Sequence, residues 1–428
     1  MPLTAKKARQ STRTAALLSP SPWPVVLAGL VSLAVAMGIG RFAFTPILPM
    51  MLKDGVVDLA GASWLASANY LGYMLGAIFC TFQPWIWARL SWLPGLDYSS
   101  LVRAGLLATG ALTLAMAWQM PAAWPVLRFA AGVTSALVFV YTSGWCLARL
   151  SDLGVPALGG MIYAGPGAGI VASGLLASGM VAWQWTAATG WLILGLLAFG
   201  LSALVWRGLR GGEHLKALAT PDSYALSRRP VAAARHGPAE MAMLTLAYSL
   251  AGFGYIVTAT FLPVIARAAL PGSAWLDLFW PIFGLGVMGG ALLAARLPAS
   301  GDLRVRLGVC YMAQALGIAA SLWSPTLLGF AMGSLLLGIP FTAITFFALQ
   351  EVRRLRPASA SSFIGLLTTA YGLGQIAGPP LVALLIQHAA TPGAAFNVSL
   401  KIATGALLVG AVMYAWMVRA YPVLDVNR

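Results

Sequence analysis

Residues 38–49 read Gly38-Ile39-Gly40-Arg41-Phe42-Ala43-Phe44-Thr45-Pro46-Ile47-Leu48-Pro49, and they lie inside an apolar run that extends from about Pro24 to Met51. An arginine near the centre of a bilayer costs about 2.5 to 3.5 kcal/mol on insertion scales. The glycines allow another helix or a ligand to approach the backbone, and the prolines permit a bend. We therefore predict a membrane helix that lines a cavity. The alternative is that Arg41 snorkels to the interface from a lipid-facing position.

The composition of the chain indicates a membrane protein. Of its 428 residues, 60% are hydrophobic and only 9% are charged, whereas soluble domains carry about 25% charged residues. Many apolar runs approach or exceed the roughly 20 residues that a helix needs to cross a bilayer. We predict an all-α integral membrane fold with twelve transmembrane helices. The predicted spans are 24–51, 62–83, 101–119, 122–149, 157–182, 186–206, 240–268, 275–296, 304–322, 325–350, 360–387 and 395–419.

The distribution of positive charge predicts the orientation. The formal net charge is +15, and most Lys and Arg residues lie in the N-terminal tail, the connectors after even-numbered spans and the C-terminal tail. The positive-inside rule then places both termini in the cytoplasm. We expect a disordered tail at 1–21, a six-helix bundle at 22–206, a cytoplasmic linker loop at 207–239, a second bundle at 240–421 and a cytoplasmic tail at 422–428.

The two halves share features in the same order. The matched sets are Gly40, Arg41 and Pro49 with Gly254, Tyr255 and Pro263; Gly72 and Gly76 with Gly286 and Gly290; Leu127, Phe129, Ala130 and Gly132 with Leu328, Phe330, Ala331 and Gly333; and Gly165-Pro166 with Gly378-Pro379. These matches predict a duplicated six-helix unit. Transporters built from such parallel repeats bind substrate between the halves, near the membrane midplane.

Five stretches carry a resemblance to a known family. They are GIGRFAFTPILPMM (38–51), ASANYLGYMLGA (66–77), RFAAGVTSALVFV (128–140), YAGPGAGI (163–170) and AYGLGQIAGPP (370–380). Through them the chain resembles the major facilitator superfamily across all twelve spans, and within it the YbfB/YjiJ-type bacterial branch. The resemblance implies two pseudo-symmetric bundles, a cavity lined by spans 1, 4, 7 and 10, and a location in the bacterial inner (cytoplasmic) membrane.

Three superfamily motifs are present to different degrees. The span-4 motif is represented by Arg128 and Gly132, and the span-5 motif by Gly165-Pro166-Gly167 with Gly169. In the family, the span-5 motif is associated with antiporters. The loop 2–3 signature is degenerate and keeps only Arg89 and Asp97, whereas its counterpart around Asp302 is better kept.

Arg41 and Arg128 are the residues that we expect to carry function. With 1.5 Å of rise per residue and a core of about 30 Å, both fall in the outer half of the membrane. The sequence places no carboxylate opposite them. Because guanidinium matches carboxylate and phosphate in bidentate geometry, the pair predicts an anionic ligand. For Arg128 the alternative is that it caps backbone carbonyls of span 1 and only fixes helix packing.

Polar and small residues complete the predicted site. The further substrate-binding candidates are Asn69, Tyr70, Tyr141, Tyr248, Tyr255 and Gln375, with Tyr73, Tyr163 and Tyr371 as similar candidates. Small residues and prolines allow helices to approach, bend and slide. The predicted packing and gating residues are Gly38, Gly40, Pro46, Gly132, Gly165, Pro166, Gly169, Gly378 and Pro379.

The motif inventory excludes several classes of function. We find no catalytic constellation, no phosphate loop of the GK[ST] type and no metal-ligand or disulfide spacing among the three cysteines. We therefore expect neither an enzyme nor a nucleic-acid-binding protein, and no cofactor or metal. The expected partners are a small-molecule substrate, a coupling proton or exchange anion, and the lipid bilayer.

Two transport functions remain open at this point. The arginines favour a secondary active transporter of a small organic anion, whereas the span-5 motif favours proton-antiporter-type export of amphipathic compounds. A non-transporting receptor or scaffold is the third alternative. For coupling, Asp277 is the one acid near a cavity mouth, and we expect it to be a helix cap or a first-turn acid.

Overall fold

The computed structural model describes residues 21–90, 97–118, 120–209, 237–273, 275–297, 301–356 and 360–422. The predicted tails at 1–21 and 422–428 lie almost wholly outside the described residues, as does most of the 207–239 linker. The domain bounds therefore remain predictions.

Long helices make up the described part of the chain. They are α1 (Trp23–Lys53), α2 (Leu59–Arg89), α3 (Tyr98–Ala115), α4 (Trp124–Asp152), α5 (Pro156–Ala182), α6 (Ala187–Val205), α7 (Pro238–Ala269), α8 (Leu276–Arg296), α9 (Leu303–Trp323), α10 (Leu327–Leu355), α11 (Ala360–His388) and α12 (Pro392–Ala420). Eleven of them, all but α3, are long and apolar enough to cross a membrane. The polar start of α3 and Arg103 lower its mean hydropathy. The helices agree with the predicted spans to within several residues and confirm the all-α membrane fold.

Side-chain caps mark where several of the helices begin. Asp58 accepts from the backbone N–H of Gly61 at the start of α2, and Asp97 accepts from Ser99 and Ser100 at the start of α3. A carboxylate at this position satisfies backbone donors that have no intrahelical partner. Two of the few acids of the chain therefore serve helix starts.

Helix α1 is not a uniform α-helix, because Ala34–Arg41 forms a π-helical segment. The backbone N–H of Phe42 donates to the carbonyl of Met37 at 3.0 Å, which is the five-residue spacing of a π turn. The five-residue spacing stops there. The backbone N–H of Thr45 donates to the carbonyl of Phe42 at 3.2 Å and Pro46 has no N–H, so neither residue donates to the carbonyl of Arg41. The π segment therefore ends with a backbone acceptor that needs another donor.

Glycine contacts relate the two halves of the molecule. A Cβ on Gly132 of α4 would lie 2.1 Å from the carbonyl oxygen of Asn69 in α2, and one on Gly338 of α10 would lie 2.4 Å from that of Phe283 in α8. Asn69 and Phe283 are 214 residues apart, as are the matched glycines Gly72 and Gly286. The structural counterpart of Gly132 is therefore Gly338, and the predicted match with Gly333 is wrong. Glycine and alanine are so frequent in these helices that a shifted alignment still pairs small residues.

The match of Gly165-Pro166 with Gly378-Pro379 also fails in space. Gly165 lies against the carbonyl of Leu30, in the first third of α1, whereas Gly378 lies against the side chain of Ile256, in the second half of α7. The two glycine–proline pairs therefore occupy different levels of their bundles.

The most extensive helix contacts between the halves, among the described residues, are those of α2 with α11, α5 with α8, and α1 with α7. On α5 and α8, Gly167 and Gly284 bring the backbones together. On α1 and α7, the hydroxyl of Thr45 donates to the carbonyl of Ala259 at 2.9 Å. The end of the π segment therefore lies beside the junction of the two halves.

Candidate functional site

Arg41 lies at the end of the π segment and is only 3% exposed. Its Nη2 donates to Oε1 of Gln375 in α11 at 2.7 Å. The guanidinium also lies over the ring of Tyr73 in α2, 3.9 Å from the ring centroid. Its Nε is buried without a hydrogen-bond partner. Among the ion pairs of the described residues, none involves Arg41. This cation is neutralised by no acid there and is held by an amide and aromatic faces.

A chain of hydrogen bonds and stacked rings extends from Arg41 into the C-terminal half. Nε2 of Gln375 donates to the hydroxyl of Tyr255. The ring of Tyr371 stacks 5.9 Å from that of Tyr255 and 4.6 Å from that of Tyr248. We call Tyr248, Tyr255 and Tyr371 the tyrosine stack. It gives the site apolar ring faces and hydroxyl groups side by side.

Aromatic residues from both halves cover one side of Arg41. Phe42 lies edge-on to Phe341 of α10 and Trp280 of α8, with ring centroids 6.0 and 6.3 Å away. The hydroxyls of Tyr70 and Thr260 form a hydrogen bond of 2.8 Å between α2 and α7. These contacts cross the junction of the halves beside Arg41.

Arg128 is 2% exposed and bonds to the backbone of α1. Its Nη1 donates to the carbonyl of Gly40 at 3.3 Å, and its Nη2 donates to the carbonyl of Arg41 at 3.1 Å. The second acceptor is the carbonyl that receives no hydrogen bond from the backbone of Thr45 or Pro46. These contacts agree with the alternative in which Arg128 caps backbone carbonyls of span 1 and fixes helix packing. They hold the backbone from which the Arg41 side chain projects.

The structure brings most of the predicted binding residues together. Around Arg41 lie Tyr70, Tyr73, Tyr248, Tyr255, Tyr371 and Gln375. Three candidates lie elsewhere. Tyr163 packs against Phe139, with ring centroids 6.0 Å apart. Asn69 donates to the carbonyl of Arg128 at 2.9 Å. Tyr141 packs against Tyr98, with ring centroids 5.2 Å apart.

Three residues of the site were missed by sequence reasoning. They are Phe341 against Tyr255, Thr345 at the hydroxyl of Tyr248, and Thr260 at the hydroxyl of Tyr70. Phenylalanine and threonine are common in membrane helices, and only their tertiary contacts single these three out.

The predicted packing residues lie at close helix contacts. A Cβ on Gly38 would lie 2.3 Å from Cα of Gly169, and one on Gly40 would lie 2.6 Å from Cγ2 of Thr109 in α3. Pro166 stands in the first turn of the α-helical part of α5, directly after the 3-10 turn Pro156–Ala164. Pro379 lies inside α11. Larger side chains at the two glycines would push α1 away from α5 and α3.

Arg41 and Arg128 are not the only buried cations among the described residues. Arg304 of α9 is fully buried and pairs with Glu240 of α7 at 2.8 Å. It also pairs with Asp302 at 2.7 Å, and its Nε lies 3.7 Å from Glu351 of α10. Glu351 in turn pairs with Arg354. We call these five residues the acid-paired cluster. Its members lie near helix ends, where their sequence positions resemble those of loop charges.

Asp302 begins α9 and belongs to this cluster. Burial acts to raise the pKa of the Asp302 carboxyl, but hydrogen bonds from Arg304 and its charge hold that pKa below the usual value. The carboxylate therefore stays charged and serves as both the helix cap and a partner of Arg304.

Asp277 lies in the first turn that precedes the α-helical part of α8, as predicted, but it does not cap that helix. It pairs instead with Arg267 of α7 at 2.5 Å. Among the described residues, no group of three or more His, Cys, Asp or Glu side chains could hold a metal ion.

Comparison with known proteins gives one family and one fold. A family model described as "Uncharacterised MFS-type transporter YbfB" matches residues 33–415. No curated protein sequence matches the chain. Two crystal structures of the nucleoside transporter NupG, one of them a point mutant, have TM-scores of 0.66 (the mutant) and 0.63. Both are 16% identical in sequence to this chain, and each alignment covers 92% of it. The alignments cover 99% of the mutant NupG chain and 98% of the other NupG chain. At this identity the likeness establishes the fold alone.

Proposed function

The chain belongs to the YbfB-type family of major facilitator transporters, and we propose that it carries a small organic anion whose charged group binds at Arg41. The family makes the protein a secondary membrane transporter and not an enzyme. The nature of the substrate, its site and the coupling are the proposal.

The observation that carries the proposal is the environment of Arg41. A buried ion is costly unless it is paired and hydrogen-bonded. Arg41 is buried, its Nε has no partner, and its Nη2 donates to a neutral amide. An anionic substrate would supply the missing negative charge. The site also lies where the two halves meet, as in transporters built from two repeats.

We assign Arg128 a positioning role. Its two hydrogen bonds hold the carbonyls at the end of the π segment, and the Arg41 side chain projects from that backbone. The tyrosine stack provides ring faces for the apolar part of the substrate and hydroxyls for further hydrogen bonds. The expected substrate is therefore an amphipathic anion, with one charged group and an apolar or aromatic body.

Coupling follows from the absence of an acid beside Arg41 among the described residues. Either one anion exchanges for another, so that the guanidinium is never left unpaired, or a proton travels on the carboxyl group of the substrate itself. In both cases the charge in the site depends on the substrate. With both termini in the cytoplasm, as the basic connectors predict, the site would open alternately to the two sides of the membrane.

Two other substrate classes compete with the anion. Neutral ring compounds fit the tyrosine stack, and the related fold of NupG belongs to a nucleoside transporter. Lipophilic cations would fit export of amphipathic compounds, which the Gly165-Pro166 motif favours. Neither class would place a negative charge beside Arg41, and this difference separates them from the anion experimentally.

A thermal-shift screen of the purified protein tests the proposal, because a ligand stabilises the native state by mass action. The panel contains benzoate, hexanoate, succinate, uridine and tetraphenylphosphonium, each tested on wild type and on Arg41→Ala. We expect the monocarboxylates to raise the melting temperature of wild type but not of the variant. Stabilisation by uridine or tetraphenylphosphonium alone, retained in Arg41→Ala, would refute the anion.

A further inference from the structure

We infer that the side-chain amide of Gln375 occupies the place of the substrate's charged group, and that the substrate binds through a planar carboxylate that displaces this amide. The inference rests on the proposed function, because it concerns the same site at Arg41. It adds the chemical class of the charged group and an active part for Gln375.

The amide of Gln375 has two contacts that a carboxylate would reproduce. Its oxygen accepts from Nη2 of Arg41 at 2.7 Å, and its nitrogen lies at the hydroxyl of Tyr255. An amide and a carboxylate are both planar, with two polar atoms on one carbon. A carboxylate in this place would put one oxygen at Arg41 and the other at Tyr255. The tyrosine hydroxyl, which accepts from the amide, would rotate to donate.

The shape of the space that the Gln375 amide occupies favours a carboxylate over a phosphate group. The ring of Tyr73 lies over the guanidinium of Arg41, and Gln375 itself is only 1% exposed. A flat group fits beside the guanidinium edge, with one oxygen at Arg41 and the other at Tyr255. A tetrahedral phosphate ester carries more oxygens than the two positions at Arg41 and Tyr255 can satisfy. The remaining phosphate oxygens would be buried without hydrogen-bond partners, which is unfavourable.

Displacement of the amide also changes the junction of the halves. Arg41 belongs to α1, whereas Gln375 and Tyr255 belong to α11 and α7. The bond from Arg41 to Gln375 therefore joins the halves through a neutral acceptor. A carboxylate would replace it with a bond in which the acceptor is charged as well as the donor, which adds the attraction between the two charges. Substrate would thus tighten the junction that the amide holds in its absence.

Substitutions of Gln375 give opposite expectations. Gln375→Ala removes the competing acceptor, so carboxylate binding should become about three- to tenfold tighter, which is the worth of one hydrogen bond. Gln375→Glu supplies a permanent carboxylate at Arg41, so binding of an added carboxylate should weaken at least tenfold. A role in packing alone would weaken binding in both variants.

The experiment titrates benzoate and phenyl phosphate into wild type, Gln375→Ala, Gln375→Glu and Arg41→Ala, with the dissociation constant measured by calorimetry. Gln83→Ala and Gln83→Glu are the matched controls, because Gln83 is also buried but lies at Tyr141 and not at Arg41. We expect benzoate to bind wild type at least tenfold tighter than phenyl phosphate. We also expect the opposite shifts in the two Gln375 variants and little change in the Gln83 variants.

The outcomes separate the inference from the proposed function. If benzoate binding requires Arg41 but is the same in wild type and Gln375→Ala, the inference is wrong and the anion site stands. Equal binding of phenyl phosphate and benzoate would refute the planar carboxylate in the same way. If benzoate binds no variant, or binds Arg41→Ala as well as wild type, the anion site itself fails. Should Gln375→Glu not fold, Gln375→Ala decides.

Discussion

Arg41 and Arg304 are both buried arginines, but their surroundings differ. Arg304 is fully buried among Glu240, Asp302 and Glu351, and it also donates to the carbonyl of Met417. Arg41 is 3% exposed and has an amide oxygen and aromatic rings around it. The first cation is neutralised within the protein, whereas the second has no acid among its described partners.

The difference indicates which buried charge is structural. Removing one member of a buried ion pair costs about 3 to 5 kcal/mol, because the other charge stays buried and uncompensated. The acid-paired cluster therefore holds the ends of α7, α9, α10 and α12 together. Arg41 leaves no buried acid behind when it is removed, so its loss should affect binding more than folding. Each prediction below tests this contrast.

The largest effect on stability is expected for Arg304→Gln. The variant leaves Glu240 and Glu351 buried without their central cation, so the free energy of unfolding should fall by about 3 to 5 kcal/mol. Thermal unfolding in detergent, together with the yield of monodisperse protein, measures the loss.

A triple variant is the control for this loss. Arg304→Met combined with Glu240→Gln and Glu351→Gln removes the buried charges at once and should recover much of the stability, because well-packed neutral replacements of buried ion clusters are often tolerated. A single Arg304→Gln variant as stable as wild type would show that the cluster does not hold the helix ends.

Arg128→Met should have the second-largest effect. It removes the donors to the carbonyls of Gly40 and Arg41, and buried acceptors without partners cost about 1 to 3 kcal/mol each. We expect a lower melting temperature and weaker substrate binding together. Ser135→Ala, which removes one donor to the carbonyl of Ala36 in the same segment, should have a smaller effect on both. If Arg128→Met abolished binding with unchanged stability, Arg128 would be a ligand residue.

Arg41→Ala should lower the free energy of unfolding by about 1 to 3 kcal/mol, because it leaves one buried acceptor, the oxygen of Gln375, without a donor. Binding of carboxylates should be lost. Arg41→Lys should recover little of it, since an ammonium group lacks the bidentate geometry of guanidinium. Unfolding curves and ligand-induced shifts on the same samples separate the two effects. A loss of stability as large as that of Arg304→Gln would remove the contrast between the two arginines.

The smallest effect is expected for Asp277→Asn. Its pair with Arg267 is partly exposed, with side-chain exposures of 34% for Arg267 and 17% for Asp277, and such pairs contribute less than about 1 kcal/mol. In reconstituted liposomes the variant should keep substantial transport, and exchange should persist without a pH gradient. Complete loss of exchange with intact folding would show that Asp277 is an essential acid.

Sequence patterns predicted the features of the molecule that depend on the length of apolar runs and on single unusual residues. The helices and the burial of Arg41 follow from the long apolar run around one charge. The acid-paired cluster was missed because Glu240 and Glu351 stand near helix ends, where only the packing of four helices reveals that they are buried. The partners of Arg128 depend on the π segment, which no local pattern indicated.

The same limit explains the errors in placement. Tyr141 was expected with the other tyrosines, but depth along a helix does not fix the neighbour that it faces, and it packs against Tyr98. Gly333 was matched to Gly132 because small residues recur throughout α10, whereas close approach to α8 selects Gly338. Side-chain direction and register therefore needed the tertiary structure.

The central claim is that Arg41 binds the anionic group of the transported substrate. Counterflow tests it most directly. Proteoliposomes loaded with an unlabelled carboxylate from the screen are diluted into trace labelled carboxylate, with equal amounts of inserted wild type or Arg41→Ala. We expect transient accumulation of label by wild type and none by Arg41→Ala. Equal accumulation by both proteins would contradict it and return Arg41 to a structural role.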